Sequence, residues 1–91
     1  MKEKETNKGV IRYRMPNIIE ATGMMTGLEQ GKENEILPQI LQRMGILLDL
    51  SVHESNSYDE LIEDLGMFTP VIEIATEVLT SLSATDGKKK D

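Results

Sequence analysis

The stretch SYDELIEDLGMFTPVIEIATEVLTSL, residues 57–82, contains two helix start signals in succession. Ser57 and Glu60 have the spacing of a capping box, in which each side chain bonds the backbone N–H of the other residue. They predict a short helix over 58–65, which Gly66 can end in a left-handed conformation. The side chains expected to face inward on this helix are Leu61, Ile62 and Leu65.

Thr69 and Pro70 supply the second start signal, an N-cap followed by a proline in the first turn, where a missing N–H costs no hydrogen bond. They predict a last helix that reaches about Leu82. The turn before it is short, so the last two helices are expected to pack as an antiparallel or crossed pair. The expected inward side chains of the last helix are Val71, Ala75, Val78, Leu79 and Leu82.

Another helix is predicted after Pro16, because Asn17 can cap it and Glu20, three residues later, completes a capping-box-like pattern. Glycine weakens a helix, so this helix is expected to end early. The expected end is the first of three glycines spaced four residues apart, Gly23, Gly27 and Gly31.

A further helix is predicted from Asn34 or Pro38 to Leu50, with Pro38 tolerated only in its first turn. This helix is apolar over most of its circumference, which is typical of the centre of a bundle or of an interface with another chain. Its apolar set is Leu37, Ile40, Leu41, Met44, Leu47 and Leu48, with Ile36, Ile46 and Leu50 on the flanks.

Residues 10–15 alternate apolar and basic side chains, a period of two that predicts an extended segment or an edge strand. One strand cannot make a sheet, so it would have to pair with a second copy of the chain or with a partner's edge. We therefore predict an all-α fold, a small bundle of three to four short helices with an extended N-terminal arm. The expected divisions are a disordered tail over 1–9, one helical domain over 10–84 with the arm at 10–16, and a disordered basic tail over 85–91.

Composition excludes several classes of function. The chain has 91 residues, no Cys, no Trp and a formal charge of −6. It is too short for a multidomain enzyme, lacks thiolate ligands, and is acidic where nucleic acid requires a basic face. The interval Met44–Gly87 contains no Lys or Arg. This acidic half is predicted to be either a solvated face or a surface that attracts a basic protein.

Catalytic and metal-binding motifs are absent from the sequence. The only histidine, His53, lies in a polar loop without a nucleophile motif, and no HExxH or cysteine motif is present. We therefore predict a protein that is not an enzyme and that needs no metal or cofactor. No stretch has the pattern of a targeting signal or a membrane span, so a cytoplasmic location without membrane binding is expected.

Binding to another protein is the function that this composition favours. A small aliphatic core barely offsets the conformational entropy of folding, so further burial against a second copy or a partner is expected. Methionine is flexible and polarisable, which suits a surface that accepts varied apolar side chains. The candidate partner-binding residues, each of which also fits an ordinary core position, are Ile11, Tyr13, Met24, Met25, Leu41, Met44, Leu48, Met67 and Phe68.

Two segments, IRYRMPNIIEATGMM (11–25) and the opening stretch (57–82), resemble the small tail assembly chaperones of tailed bacteriophages. Those proteins are similarly short, acidic and helical, with an extended piece ending in a proline and helices of the YDELIED and PVIEIA types. The resemblance implies a non-enzymatic factor in the host cytoplasm that coats the long helical tape measure protein until the tail tube assembles. It would assign the arm over 10–15 to self-association or tape-measure contact, and the helix over 36–50 to the apolar binding surface.

Two functional hypotheses follow. The first is an assembly chaperone or adaptor, itself a homo-oligomer, that shields apolar helical segments of another protein and binds no nucleic acid. The second is an acidic inhibitor or adaptor that occupies a basic groove on a host or defence protein by mimicking phosphates. Salt separates them, because apolar burial survives screening whereas charge mimicry weakens as the Debye length shortens to about 3 Å at 1 M.

Overall fold

The structure, a computed structural model, describes residues 1–26 and 33–87. Within those residues the chain forms a three-stranded antiparallel sheet of order β1-β2-β3 and four α-helices, so the prediction of an all-α bundle is wrong. The strands are β1 (Lys2–Thr6), β2 (Gly9–Tyr13) and β3 (Leu48–Asp49), and the helices are α1 (Ile18–Met25), α2 (Glu33–Arg43), α3 (Tyr58–Glu63) and α4 (Phe68–Gly87). Two 3₁₀ turns lie at Met44–Leu47 and Leu65–Met67.

Strand β1 is the element that the sequence prediction missed, because its lysines and glutamates were interpreted as a disordered tail. It pairs antiparallel with β2, with Lys2 opposite Tyr13 and Lys4 opposite Ile11. The predicted arm is indeed extended with a period of two, and its Ile11 and Tyr13 are buried. The prediction of an edge strand that pairs with a second copy is wrong, because β2 is the central strand and pairs with β1 and β3 of the same chain.

The turn between β1 and β2 depends on Gly9, whose φ of +119° is unfavourable for any residue with a side chain. A Cβ at this position would lie 2.6 Å from the carbonyl oxygen of Val52. This close approach lets the loop after β3 continue the sheet, because the backbone N–H of Val10 donates to the carbonyl of Val52 (3.3 Å). The N–H of Glu54 donates in the same way to the carbonyl of Lys8 (2.9 Å).

Helix α1 begins as predicted. The Asn17 side chain accepts from the N–H of Glu20 (2.8 Å), and the Glu20 carboxylate accepts from the N–H of Asn17 (3.1 Å). Arg14 donates two hydrogen bonds to the same carboxylate, and these bonds hold the pKa of Glu20 at about 2. The helix passes Gly23 and ends at Met25. Gly27 and Gly31 lie outside the described residues.

Helix α2 is shorter than the predicted helix to Leu50. It ends at Arg43, and the chain then forms the 3₁₀ turn and β3. Pro38 lies inside the helix instead of in its first turn, contrary to the prediction. The apparent width of the apolar stripe has a simple cause, because its second half is not helical: Met44 and Leu47 enter the core from the 3₁₀ turn and Leu48 from the strand.

Helix α4 contributes the largest share of the core. It begins at Phe68, so Thr69 is not its N-cap, although Pro70 lies in the first turn as predicted. It extends to Gly87, and therefore into the predicted tail over 85–91, whose last four residues lie outside the described ones. The buried apolar core consists of Ile11, Tyr13, Met24, Ile40, Met44, Leu47, Leu61, Met67, Val71, Ile74, Ala75, Val78 and Leu82.

Candidate functional site

The nine predicted partner-binding residues do not form one surface. Five of them are buried core residues: Ile11, Tyr13, Met24, Met44 and Met67. Leu41 and Leu48 are partly buried against that core. Met25 and Phe68 are exposed, by 42% and 61%. Three of the nine, Leu41, Met67 and Phe68, nevertheless meet around a single groove.

This apolar groove, of about 150 Å³, lies where α3, the 3₁₀ turn Leu65–Met67 and the start of α4 meet beside α2. Its rim is formed by Ile62, Leu65 and Phe68, whose exposed fractions are 43%, 87% and 61%. The remaining lining residues are Leu41, Leu61, Asp64, Met67, Val71 and Ile72. Large apolar side chains exposed together around a concavity are typical of an interaction site.

The groove begins with the cap of α3. The Ser57 hydroxyl accepts from the N–H of Glu60 (3.3 Å), as the predicted capping box requires. The reciprocal bond is displaced by one residue, since the Glu60 carboxylate accepts from the backbone N–H (3.2 Å) and the side-chain amide (3.3 Å) of Asn56. Tyr58 then donates its hydroxyl to the carbonyl oxygen of Leu41, which joins α3 to the end of α2.

Asp64 ends α3 and starts the turn that shapes the groove. Its backbone is extended, and its carboxylate accepts from the N–H of Gly66 (2.8 Å). The prediction that Gly66 adopts a left-handed conformation is wrong. Among the described glycines, Gly9 alone has a positive φ. The chain thus leaves α3 two residues earlier than predicted, at Glu63.

This early exit places Leu65 in solvent. The predicted inward set was correct for Leu61, which is fully buried, and wrong for Ile62 and Leu65. A continuous helix would have returned Leu65 to the face of Leu61, one turn below it. In the 3₁₀ turn it instead points outward, while Met67 fills the core. The sequence signal for this interruption is the spacing of Asp64 and Gly66, because an Asp side chain can accept from the backbone N–H two residues later.

Lysines of the N-terminal hairpin neutralise one side of the acidic half. Lys2 bonds Glu77, Lys4 bonds Glu73 at 2.9 Å, and Lys8 bonds Asp64 at 2.5 Å. The contacts of Lys2 and Lys4 arise from the pleat of β1, since these residues lie opposite Tyr13 and Ile11 and on the same face of the sheet as those core side chains. Lys8 lies in the turn that follows β1. The segment predicted as a tail therefore supplies the cations that the interval Met44–Gly87 lacks.

The same contacts shift several pKa values. The hydrogen bond from Lys2, and then that from Tyr13 (2.7 Å), lower the pKa of Glu77. Burial, reinforced by the bond to Glu77, raises the pKa of Tyr13 to about 12. Lys8 lowers the pKa of Asp64 in the same way. The sheet side of α4 is thus a set of satisfied charge pairs.

His53 is a buried residue that hydrogen-bonds within the fold. Its Nε2 lies 3.2 Å from the hydroxyl of Thr6, and its Nδ1 accepts from the N–H of Ser55 (3.0 Å). The contact with Thr6 attaches the loop after β3 to the end of β1, and the bond from Ser55 lies within that loop. Within the described residues, no three His, Asp or Glu side chains are grouped as a metal ion would require.

One segment, Leu65–Leu82, is long and apolar enough to cross a membrane by length and composition, with a mean hydropathy of 1.3. It includes part of the groove rim and most of α4, and 33% of it is buried in the fold. A helix that forms the core of a protein meets the same criteria.

Comparisons with protein-family models, with curated proteins and with solved structures find no match to this chain.

Proposed function

We propose that this protein is a non-enzymatic protein-binding module that shields apolar helical segments of another protein. The observation that supports the proposal is the groove, whose rim exposes Ile62, Leu65 and Phe68 around a concavity of about 150 Å³. Its lining is apolar apart from Asp64. A groove of this kind accepts the apolar stripe of an amphipathic helix, which presents anchors every three to four residues.

The resemblance to tail assembly chaperones suggests the partner, a tape measure protein in the cytoplasm of a host cell. The binding surface in this proposal differs from the one that the resemblance implies. The arm is paired with β1, and the apolar residues over 36–50 are mostly part of the core or packed against it. Both features that suggested a homo-oligomer are thus satisfied within one chain, and the homo-oligomer stays a prediction.

The alternative function, an acidic inhibitor that occupies a basic groove, has less support. Three carboxylates of the acidic half, Asp64, Glu73 and Glu77, already bond lysines of the same chain. A basic partner would have to displace those lysines or use the remaining carboxylates. The apolar rim of the groove has no role in such a mechanism.

The test is binding of a synthetic helical peptide that carries an apolar stripe and Gln at its other positions, followed by fluorescence anisotropy. We expect binding at 0.1 M salt that persists at 1 M salt. The double variant Leu65→Ser, Phe68→Ser should weaken binding at least about tenfold, since it removes two anchors worth roughly 1 kcal/mol or more each.

The matched control is Ile18→Ser, Ile19→Ser, because these α1 side chains are 81% and 82% exposed but do not line the groove. We expect this control to bind the peptide as the wild type does, with both variants showing the wild-type circular dichroism spectrum. Unchanged binding by Leu65→Ser, Phe68→Ser would contradict the proposal. Binding that disappears at 1 M salt would favour the acidic inhibitor.

A further inference from the structure

Two exposed carboxylates of α3 lie next to the groove-lining Ile62 and pair with no cation of the described residues. Asp59 and Glu63 are exposed and form no ion pair with any described Lys or Arg. Their spacing places them next to Ile62 on the outward side of the helix, opposite the buried Leu61. The two neighbouring carboxylates, Glu60 and Asp64, already have partners, because Glu60 bonds Asn56 and Asp64 bonds Lys8.

The chain has no described cation to spare for them. Every Lys and Arg of residues 1–26 and 36–82 contacts another group of the chain. Lys2 and Lys4 bond carboxylates of α4, and Lys8 bonds Asp64. Arg12 pairs with Glu3, Arg14 pairs with Glu20, and Arg43 donates to the carbonyls of Met24 and Thr26. Among the described residues there is thus no cation left for these two carboxylates, and a partner that buries the groove rim can supply one.

We propose that the groove takes an amphipathic helix of a partner protein whose apolar stripe is flanked by Lys or Arg, and that Asp59 and Glu63 select such segments. This inference rests on the proposed function. Apolar side chains of the partner fill the space between Ile62, Leu65 and Phe68, and a basic side chain beside the stripe reaches the carboxylates of α3. Opposite charges at the rim speed association, and like charges reject acidic segments.

Charge also disfavours the other occupants of this face. A second copy that docked symmetrically through the groove would bring Asp59 and Glu63 against the same residues of its neighbour. An anionic membrane surface would be repelled by the same carboxylates, in a half of the chain without Lys or Arg from 44 to 87. A basic, amphipathic protein segment satisfies both the apolar rim and the carboxylates.

The test compares three helical peptides that share one apolar stripe and differ only in its flanks, which carry Lys, Gln or Glu. At 50 mM salt the wild type should bind the Lys peptide about three- to tenfold more tightly than the Gln peptide, and the Glu peptide least tightly. Two exposed charge pairs supply an effect of this size. Asp59→Asn, Glu63→Gln should reduce the preference to about onefold without changing the affinity for the Gln peptide.

The control is Glu5→Gln, Glu54→Gln, which removes two exposed carboxylates that lie outside α3, in β1 and in the loop before α3, and should keep the wild-type preference. Equal affinity of the wild type for all three peptides would overturn the inference and leave the proposed function standing, whereas failure to bind the Gln peptide would remove the proposed function itself. A dimer in light scattering that Leu65→Ser abolishes would overturn the inference in favour of a second copy. Binding to phosphatidylserine vesicles in place of the Lys peptide would overturn it in favour of a membrane.

Discussion

The sheet side and the groove side of α4 use their side chains in opposite ways. On the sheet side, Glu73 and Glu77 each bond a lysine of β1, and Glu77 also accepts the hydroxyl of Tyr13. On the groove side, Phe68 and its neighbours leave apolar surface in contact with solvent. One helix therefore has one side whose charges are paired within the chain and another side whose apolar side chains are exposed.

This difference separates stability from binding. A side on which charges are paired and apolar groups are buried gains nothing from a partner, whereas exposed apolar side chains gain burial when a partner covers them. We accordingly expect substitutions on the sheet side and in the groove floor to change the free energy of unfolding. Substitutions on the groove rim should change binding alone.

The largest expected effect distinguishes the floor of the groove from its rim. Leu61→Ala removes a fully buried side chain and should lower the free energy of unfolding by about 2–5 kcal/mol. Leu65→Ala removes the same atoms from a side chain that is 87% exposed and should change it by about 0.5 kcal/mol or less. Urea unfolding followed by circular dichroism measures both, and equal losses would show that the rim is a structural part of the core.

A smaller effect is expected at the turn that attaches β1. Gly9→Ala forces a side chain into a positive-φ position against the carbonyl of Val52 and should cost about 1–3 kcal/mol. Gly23→Ala is the matched control, because a Cβ in this exposed helical position meets nothing within 4 Å. It should stabilise the protein by about 0.5–1 kcal/mol. Thermal unfolding of both variants measures these changes. An unchanged melting temperature of Gly9→Ala would contradict the structure.

The smallest effect concerns pH. The pKa values of Glu77 and Asp64 are lowered in the folded protein by their lysine partners, so their contribution to stability is present above the unfolded pKa of about 4.5 and about 4. This contribution to stability is lost as the pH falls through the lowered pKa values of the folded protein. Urea unfolding between pH 6 and pH 2 should show this decline. Glu77→Gln should be less stable at pH 6 and should lose less on acidification; an identical acid profile would mean that the Lys2 pair contributes nothing.

Local signals predicted the starts of two helices well. Asn17 caps α1 with the expected partner Glu20, and Ser57 caps α3. The alternation over 10–15 correctly predicted an extended segment, although its strand is central in the sheet and its Ile11 and Tyr13 are core residues. Each of these features depends on contacts within a few residues, so the sequence pattern contains what is needed to recognise it.

Long-range features were not predictable in the same way. The lysines of β1 indicate a tail until Glu73 and Glu77, about seventy residues away, provide partners for them. The groove was missed because Leu65 follows the helical period of α3 although the helix ends before it. Five candidate binding residues proved to be core, since an apolar pattern does not distinguish a buried face from an exposed one.

The sequence by itself determined the N-caps of α1 and α3, the extended arm and the acidic half without bases, because each follows from neighbouring residue types. Only the tertiary structure decided that β1 joins the sheet, that its lysines neutralise one side of the acidic half, and that Leu65 and Phe68 face solvent around the groove. The physical reason is that burial and ion pairing depend on which distant residues meet, and in this chain those meetings join its first nine residues to its last helix.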